Sequence, residues 1–202
     1  MDILPHSLCS VEGLDYLRGL SHGISGIALA IYRIGSELGK LNHQSLATEL
    51  LQLEFDLTKD GKWTDGHSYN GKDLRAWCHG SPGIALTLAS MPELLNHNII
   101  LRDYLKIAFH DTIQNGQYNS ECLCHGTAGN QLVIDLILKK QLGQSIPDID
   151  VLSNRDVLKN GFSSFGLAQT LSLGVMTGLA GAGFYLLAKD GVTDSLDFLT
   201  LE

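Results

Sequence analysis

One stretch of the chain decides the fold, and it reads Trp77-Cys78-His79-Gly80-Ser81-Pro82-Gly83-Ile84. Its central pattern, a glycine followed by two residues and a second glycine, occurs four times in the chain. The first glycines of the four copies are at positions 23, 80, 126 and 178, so the spacings between them are 57, 46 and 52 residues. Irregular spacings of about fifty residues predict a repeated two-helix unit whose loops vary in length.

Each glycine pair is followed by a run that is apolar on most faces, as is typical of a helix buried between other helices. These runs begin near residues 27, 84, 132 and 184. Two other stretches, residues 45–58 and 99–113, have apolar residues at helical spacing on one side, which predicts outer helices with one wet face. Residues 133–138 would suit a buried strand by composition alone, but their context favours a helix. We therefore expect an all-α fold of helical hairpins that stack or close into a ring, because one hairpin cannot bury its own apolar face.

Composition indicates one globular domain over residues 1–202, with loops at 60–75, 115–121 and 143–153 rather than a domain boundary. The hydrophobic share of 44% and the charged share of 18% exclude a disordered chain. The net charge is −8 and no basic run occurs, so we expect no nucleic-acid partner. We find neither an apolar stretch of about 20 residues nor a signal peptide, and we expect a cytoplasmic protein without a transmembrane segment.

The glycine turns precede helices, and three of them contain histidine or cysteine. Cys78, Cys124 and His125 offer two thiols and an imidazole, a soft ligand set that suits zinc and leaves a fourth coordination position open. The alternative is that both cysteines are inert core residues, which is common for free cysteine. His79 competes with His125 as the third ligand, and the residues alone do not rank the two.

Other residues of the turns have weaker signals. His22 occupies the matching place in the first turn without a cysteine, which suits general acid–base work, although a structural histidine is the simpler interpretation. Arg75 is either a substrate-binding cation or a solvated loop arginine. Trp77 is expected to pack, and Cys9 and Cys122, which have no evident partners, are expected to be inert.

The four motifs together resemble the lanthionine synthetase C-like cyclases. They are Ser-His-Gly-Ile-Ser-Gly from Ser21, Trp-Cys-His-Gly-Ser-Pro-Gly-Ile from Trp77, Leu-Cys-His-Gly-Thr-Ala-Gly-Asn from Leu123 and Gly-Val-Met-Thr-Gly-Leu-Ala-Gly-Ala-Gly-Phe from Gly174. The second and third are most similar to the C-terminal cyclase domain of class II lanthipeptide synthetases. The resemblance implies an α/α toroid of seven helical hairpins with zinc at the top of the inner ring.

By this resemblance Cys78, Cys124 and His125 match the metal ligands and His22 matches the catalytic histidine, while Arg75 and His79 fall near substrate-binding positions. The implied reaction joins a zinc-activated cysteine thiolate of a dehydrated precursor peptide to a dehydroalanine or dehydrobutyrine of the same peptide. His22 is the implied donor of the proton to carbon, and the product is a thioether ring. A non-catalytic zinc-binding module remains an alternative, and a toroidal hydrolase is a weaker one because no acidic residue lies in the four turns.

The chain departs from the family in length, since the family domain is roughly twice as long and four of seven units are evident here. We expect the C-terminal portion of a cyclase domain, or half of a split synthetase that pairs with the missing N-terminal part or with itself. No kinase-like segment is evident, so we expect no dehydration of serine or threonine. Membrane association through a biosynthetic complex is an alternative to a free cytoplasmic location.

Overall fold

The computed structural model describes residues 18–58, 63, 68–69, 72–118, 120–142, 172–192 and 199. These residues form seven helices: α1 Ile24–Glu37, α2 Leu41–Asp56, α3 Ser81–Ala89, α4 Pro92–His97, α5 Ile99–Asn115, α6 Thr127–Leu142 and α7 Leu179–Lys189. The fold is all-α, as predicted. The expected loop at 143–153 and the predicted inert Cys9 lie outside the described residues.

Four helices, α1, α3, α6 and α7, each begin directly after the first glycine of a turn. The second glycine is required by a close approach of the backbone within the turn. A Cβ atom on Gly129 would lie 1.8 Å from the carbonyl oxygen of Leu123, and one on Gly83 would lie 2.2 Å from that of Trp77. The second glycines of the other two turns make the same approach to the residue six positions earlier. The pattern that repeats in the sequence is therefore one repeated turn geometry.

The helices pack as the predicted inner and outer layers. Helix α1 packs against α2, and α3 packs against α5, so the first two units are hairpin-like pairs. Neighbouring units meet through their inner helices, since α3 contacts both α1 and α6, and α6 contacts α7. All nine residues of α3 are buried, as expected of a helix that is apolar on most faces. This succession of inner helices inside outer ones is the arrangement of an α/α toroid.

One helix and one short pair of strands were not predicted from the sequence. Helix α4 precedes α5, and the two are separated at Asn98, whose side-chain oxygen accepts hydrogen bonds from the backbone of Ile100 and Leu101 at 3.0 and 3.2 Å. Within the expected loop at 60–75, the strands β1 (Ser68–Tyr69) and β2 (Lys72–Asp73) form a short antiparallel pair. None of the helices in the described part of the chain is long and apolar enough to cross a membrane.

Candidate metal centre

Main-chain hydrogen bonds connect the four glycine turns in sequence order. The amide of Ser21 donates to the carbonyl of Cys78 at 3.2 Å, the amide of Cys78 donates to Cys124 at 3.2 Å, and the amide of Cys124 donates to Met176 at 2.8 Å. Each of these residues stands two positions before the first glycine of its turn. Equivalent positions of the four units are therefore neighbours in space, although they are far apart in the sequence.

This alignment brings the predicted metal ligands together. The ligand atoms of Cys78, Cys124 and His125 lie within 4.8 Å of one another. Cys78 is buried, whereas Cys124 and His125 are partly exposed. The atoms need to approach one another by at most about 1 Å to share a tetrahedral zinc ion, whose bonds are about 2.0 to 2.3 Å long. Two thiols and one imidazole at these separations fit zinc, and three protein ligands leave one position for a fourth group.

Hydrogen bonds within this cluster change the pKa values of its members in different directions. The hydrogen bond with Cys78 lowers the pKa of Cys124 to about 5, although burial opposes this change. The same bond, together with burial, raises the pKa of Cys78. Burial disfavours a charge on His125, but hydrogen bonds with Cys122 and Cys124 outweigh it and raise the pKa of His125 to about 10. The cluster therefore favours a thiolate at Cys124, which is the form that binds a metal.

His22 lies beside the ligand cluster and is outside the ligand group itself. Its ring stacks on the ring of His79, with the centroids 4.6 Å apart and the planes at 18°. His22 is exposed, and its charge contributes to the lowered pKa of Cys124. His79 thus pairs with His22, while His125 joins the two cysteines. The roles of His22 in catalysis and of His79 in substrate binding remain predictions.

Arg75 is held in a polar network next to the second turn. Its Nε atom lies 3.0 Å from Oδ2 of Asp111, which also accepts a hydrogen bond from the Ser81 hydroxyl at 2.5 Å. The Arg75 amide donates to the Tyr118 hydroxyl at 2.5 Å, and the Arg75 carbonyl accepts from the Asn130 side chain at 2.7 Å. The side chain of Arg75 is only 12% exposed, so it is not a solvated loop arginine. Its role in substrate binding remains a prediction.

Glu54 is a residue near the site that the sequence did not suggest. It lies on α2 with 0% exposure, and its Oε1 accepts a hydrogen bond from the amide of Gly19 at 2.6 Å. Its Oε2 accepts one from the hydroxyl of Ser25. Burial raises the pKa of Glu54 to about 7, although hydrogen bonds with Ser25 and Gly19 and the charge of Arg18 act in the opposite direction. Helical spacing could have indicated its burial, because Glu54 is three residues beyond Leu51 and four beyond Leu50, both of which are buried.

Two expectations for the neighbouring residues had different outcomes. Cys122 was expected to lack a partner, and this was wrong. Burial opposes its ionisation, but a hydrogen bond with His125 lowers the pKa of Cys122 overall. Trp77 packs against the core as expected, and its Nε1 donates to the carbonyl of Leu199 at 3.1 Å. Cys122 is therefore part of the surroundings of the candidate metal centre.

Comparisons with known proteins agree with this arrangement of turns. The model of the family described as lanthionine synthetase C-like protein matches residues 10–199, a range that includes all four turns. The chain is also 24% identical over 210 residues to the lacticin 481/lactococcin biosynthesis protein LcnDR2 of Lactococcus lactis subsp. lactis. That alignment covers 94% of this chain and 22% of the relative, so the chain spans about a fifth of the length of the curated relative it matches.

Proposed function

Because the chain belongs to the lanthionine synthetase C-like family, we propose that it forms thioether rings in a dehydrated precursor peptide as a zinc-dependent lanthipeptide cyclase. The observation that carries this proposal is the cluster of Cys78, Cys124 and His125, next to which His22 lies. The relative whose printed name refers to lacticin 481 biosynthesis supports a peptide of this class as the substrate.

In this proposal each residue of the site has a separate task. Cys78, Cys124 and His125 would hold a zinc ion, which lowers the pKa of a peptide thiol at its open position. The peptide thiol releases its proton to water, its sulfur forms a bond to the β-carbon of a dehydroamino acid, and the π electrons move to the adjacent carbonyl. His22 then delivers a proton to the α-carbon, which completes the thioether.

The neighbouring residues would orient His22 and the substrate rather than react themselves. The ring of His79 stacks on His22 and limits the orientations that the His22 imidazole can adopt. Arg75 is fixed by Asp111 at the edge of the second turn, where its positive charge would attract the peptide backbone carbonyls. A bound peptide would exclude water from the exposed face of His22.

A non-catalytic zinc-binding module is the second candidate function. The observation that favours it is that the alignment covers only 22% of the relative. The activity in the relative's name belongs to that much longer chain. Such a module needs the three ligands but does not need His22.

The test combines metal analysis with a cyclisation assay. We expect about one zinc per chain in protein purified without chelator, and its loss in Cys124→Ala. His22→Ala should keep the zinc and lose cyclisation by about 10²–10⁴-fold, which is typical of a general acid–base residue. His110→Ala, which changes an exposed histidine of α5, is the matched control and should behave like the wild type.

Cyclisation leaves the peptide mass unchanged. The rings are therefore counted as cysteine residues that no longer react with an alkylating reagent, because their sulfur has become a thioether. Absence of zinc from the wild type would contradict the proposal, and so would loss of zinc in His22→Ala. Zinc binding without any ring formation in the wild type would favour the non-catalytic module.

A further inference from the structure

The buried carboxyl group of Glu54 holds the first turn at two points that lie on either side of His22. One oxygen accepts the amide of Gly19, three residues before His22, at 2.6 Å. The other accepts the hydroxyl of Ser25, three residues after it. The turn is anchored at both ends by one side chain, while His22 itself is exposed.

The Gly19 end of this turn also contacts the metal-binding turn. The φ angle of Gly19 is 106°, and a Cβ atom there would lie 3.0 Å from the carbonyl oxygen of Cys78, the Cα of His79 and the amide of Gly80. Two residues later, the amide of Ser21 donates to the same carbonyl of Cys78. The position of Gly19 therefore sets the distance between the turn of His22 and the turn of the first metal ligand.

We propose that Glu54 is a positioning residue that fixes His22 relative to the metal centre through its two hydrogen bonds to Gly19 and Ser25. The proposal rests on the proposed role of His22 in proton transfer. The hydrogen bonds of Glu54 go to Gly19 and Ser25 in the first turn, so its effect on the centre passes through that turn. A proton donor displaced by about 1 Å loses much of its efficiency, and a rigid anchor prevents that displacement.

The second turn has an arrangement of the same kind, which indicates that the anchor is a feature of the repeat. Asp111 on the outer helix α5 accepts a hydrogen bond from the hydroxyl of Ser81, the first residue of the inner helix α3. In the first unit Glu54 on α2 does the same for Ser25, the second residue of α1. An acidic residue of an outer helix thus binds a serine at the start of the inner helix in both units.

The test compares substitutions at Glu54 with one on the exposed side of the same helix. Glu54→Leu keeps the approximate size but removes both acceptors, Glu54→Gln keeps an acceptor and a donor, and Glu49→Leu is the matched control. Zinc content, amide hydrogen exchange of residues 19–25 measured by mass spectrometry, and cyclisation rate are recorded for each protein. Ser25→Ala, which removes the hydrogen bond from the Ser25 hydroxyl, is the second variant in case Glu54→Leu does not fold.

We expect Glu54→Leu to keep its zinc while exchange in residues 19–25 rises about tenfold to a hundredfold, because a buried amide loses its acceptor. Cyclisation should fall by at least about tenfold, and Glu54→Gln should restore both properties to near the wild-type values. Ser25→Ala should produce a smaller change in the same segment.

Unchanged exchange in residues 19–25 of Glu54→Leu would overturn the proposal, as would unchanged cyclisation together with faster exchange. If Glu54→Leu does not fold, unchanged exchange in Ser25→Ala overturns it. A wild type that binds zinc without forming rings would refute the proposed cyclase function alone, because the exchange measurements still report whether Glu54 anchors the turn.

Discussion

Replacing Glu54 by glutamine should alter how the stability of the protein depends on pH. Burial of the carboxyl group raises its pKa from 4.5 to about 7 in the folded protein. Between these values the folded chain binds a proton that the unfolded chain has released, so stability falls as the pH rises through this window. The loss above pH 7 is about 3 kcal/mol, at about 1.4 kcal/mol for each tenfold change in acid dissociation. Glutamine cannot ionise and avoids this loss.

The assay is urea unfolding followed by helical circular dichroism, at several values between about pH 5 and about pH 8. The unfolding free energy of Glu54→Gln minus that of the wild type should increase by about 2.5 kcal/mol between about pH 5 and about pH 8, in favour of the variant. Glu49→Gln, on the exposed side of α2, should follow the wild type at every pH. Both proteins must have the same zinc content, because metal binding to thiols also depends on pH. A difference that stays constant with pH would refute the reasoning.

Two further substitutions, each with a matched control, test the turns and the polar network by urea unfolding. Gly129→Ala should destabilise the fold by roughly 1–3 kcal/mol or more, because its Cβ would lie 1.8 Å from the carbonyl oxygen of Leu123. Gly183→Ala in α7, where the new Cβ meets nothing within 4 Å, should be neutral or stabilising, and equal losses at both sites would contradict the steric argument. Asp111→Ala should cost about 3 kcal/mol because it breaks a largely buried ion pair, whereas Asp103→Ala should cost under about 1 kcal/mol because that ion pair is exposed. Similar losses at the two aspartates would show that burial of the pair has little effect.

The repeated turns were predictable because their geometry depends on local sequence. The second glycine of each pair is needed because the helix start approaches the carbonyl of the residue six positions earlier, and this need is visible as a motif in each unit. The same alignment of motifs predicted Cys78 and Cys124 as ligands, but it did not rank His125 above His79, and that choice depended on the resemblance to the family. The inner and outer helices were likewise evident from the distribution of apolar residues around each helix.

The polar contacts that surround the site were not predictable in the same way. Glu54 lies in a helix whose sequence indicates one wet face, and only the packed structure shows its carboxyl group turned towards Gly19. Arg75 and Asp111 are separated by 36 residues, and no local pattern relates two such side chains. Cys122 stands two positions before the predicted ligand Cys124, and its contact with His125 depends on how the turn folds. Long-range pairs of this kind are decided by tertiary packing.

The main-chain connection between the turns has a consequence for the evolution of the site. Ser21, Cys78, Cys124 and Met176 are aligned by amide-to-carbonyl bonds that every residue type except proline, which has no amide hydrogen, can make. Their side chains are therefore free to change without loss of the alignment, and each turn can gain or lose a reactive group by a single substitution. Duplicating such a unit supplies new positions around a common centre before any chemistry has been selected. Two adjacent turns that each acquired a cysteine would be enough to begin a metal site.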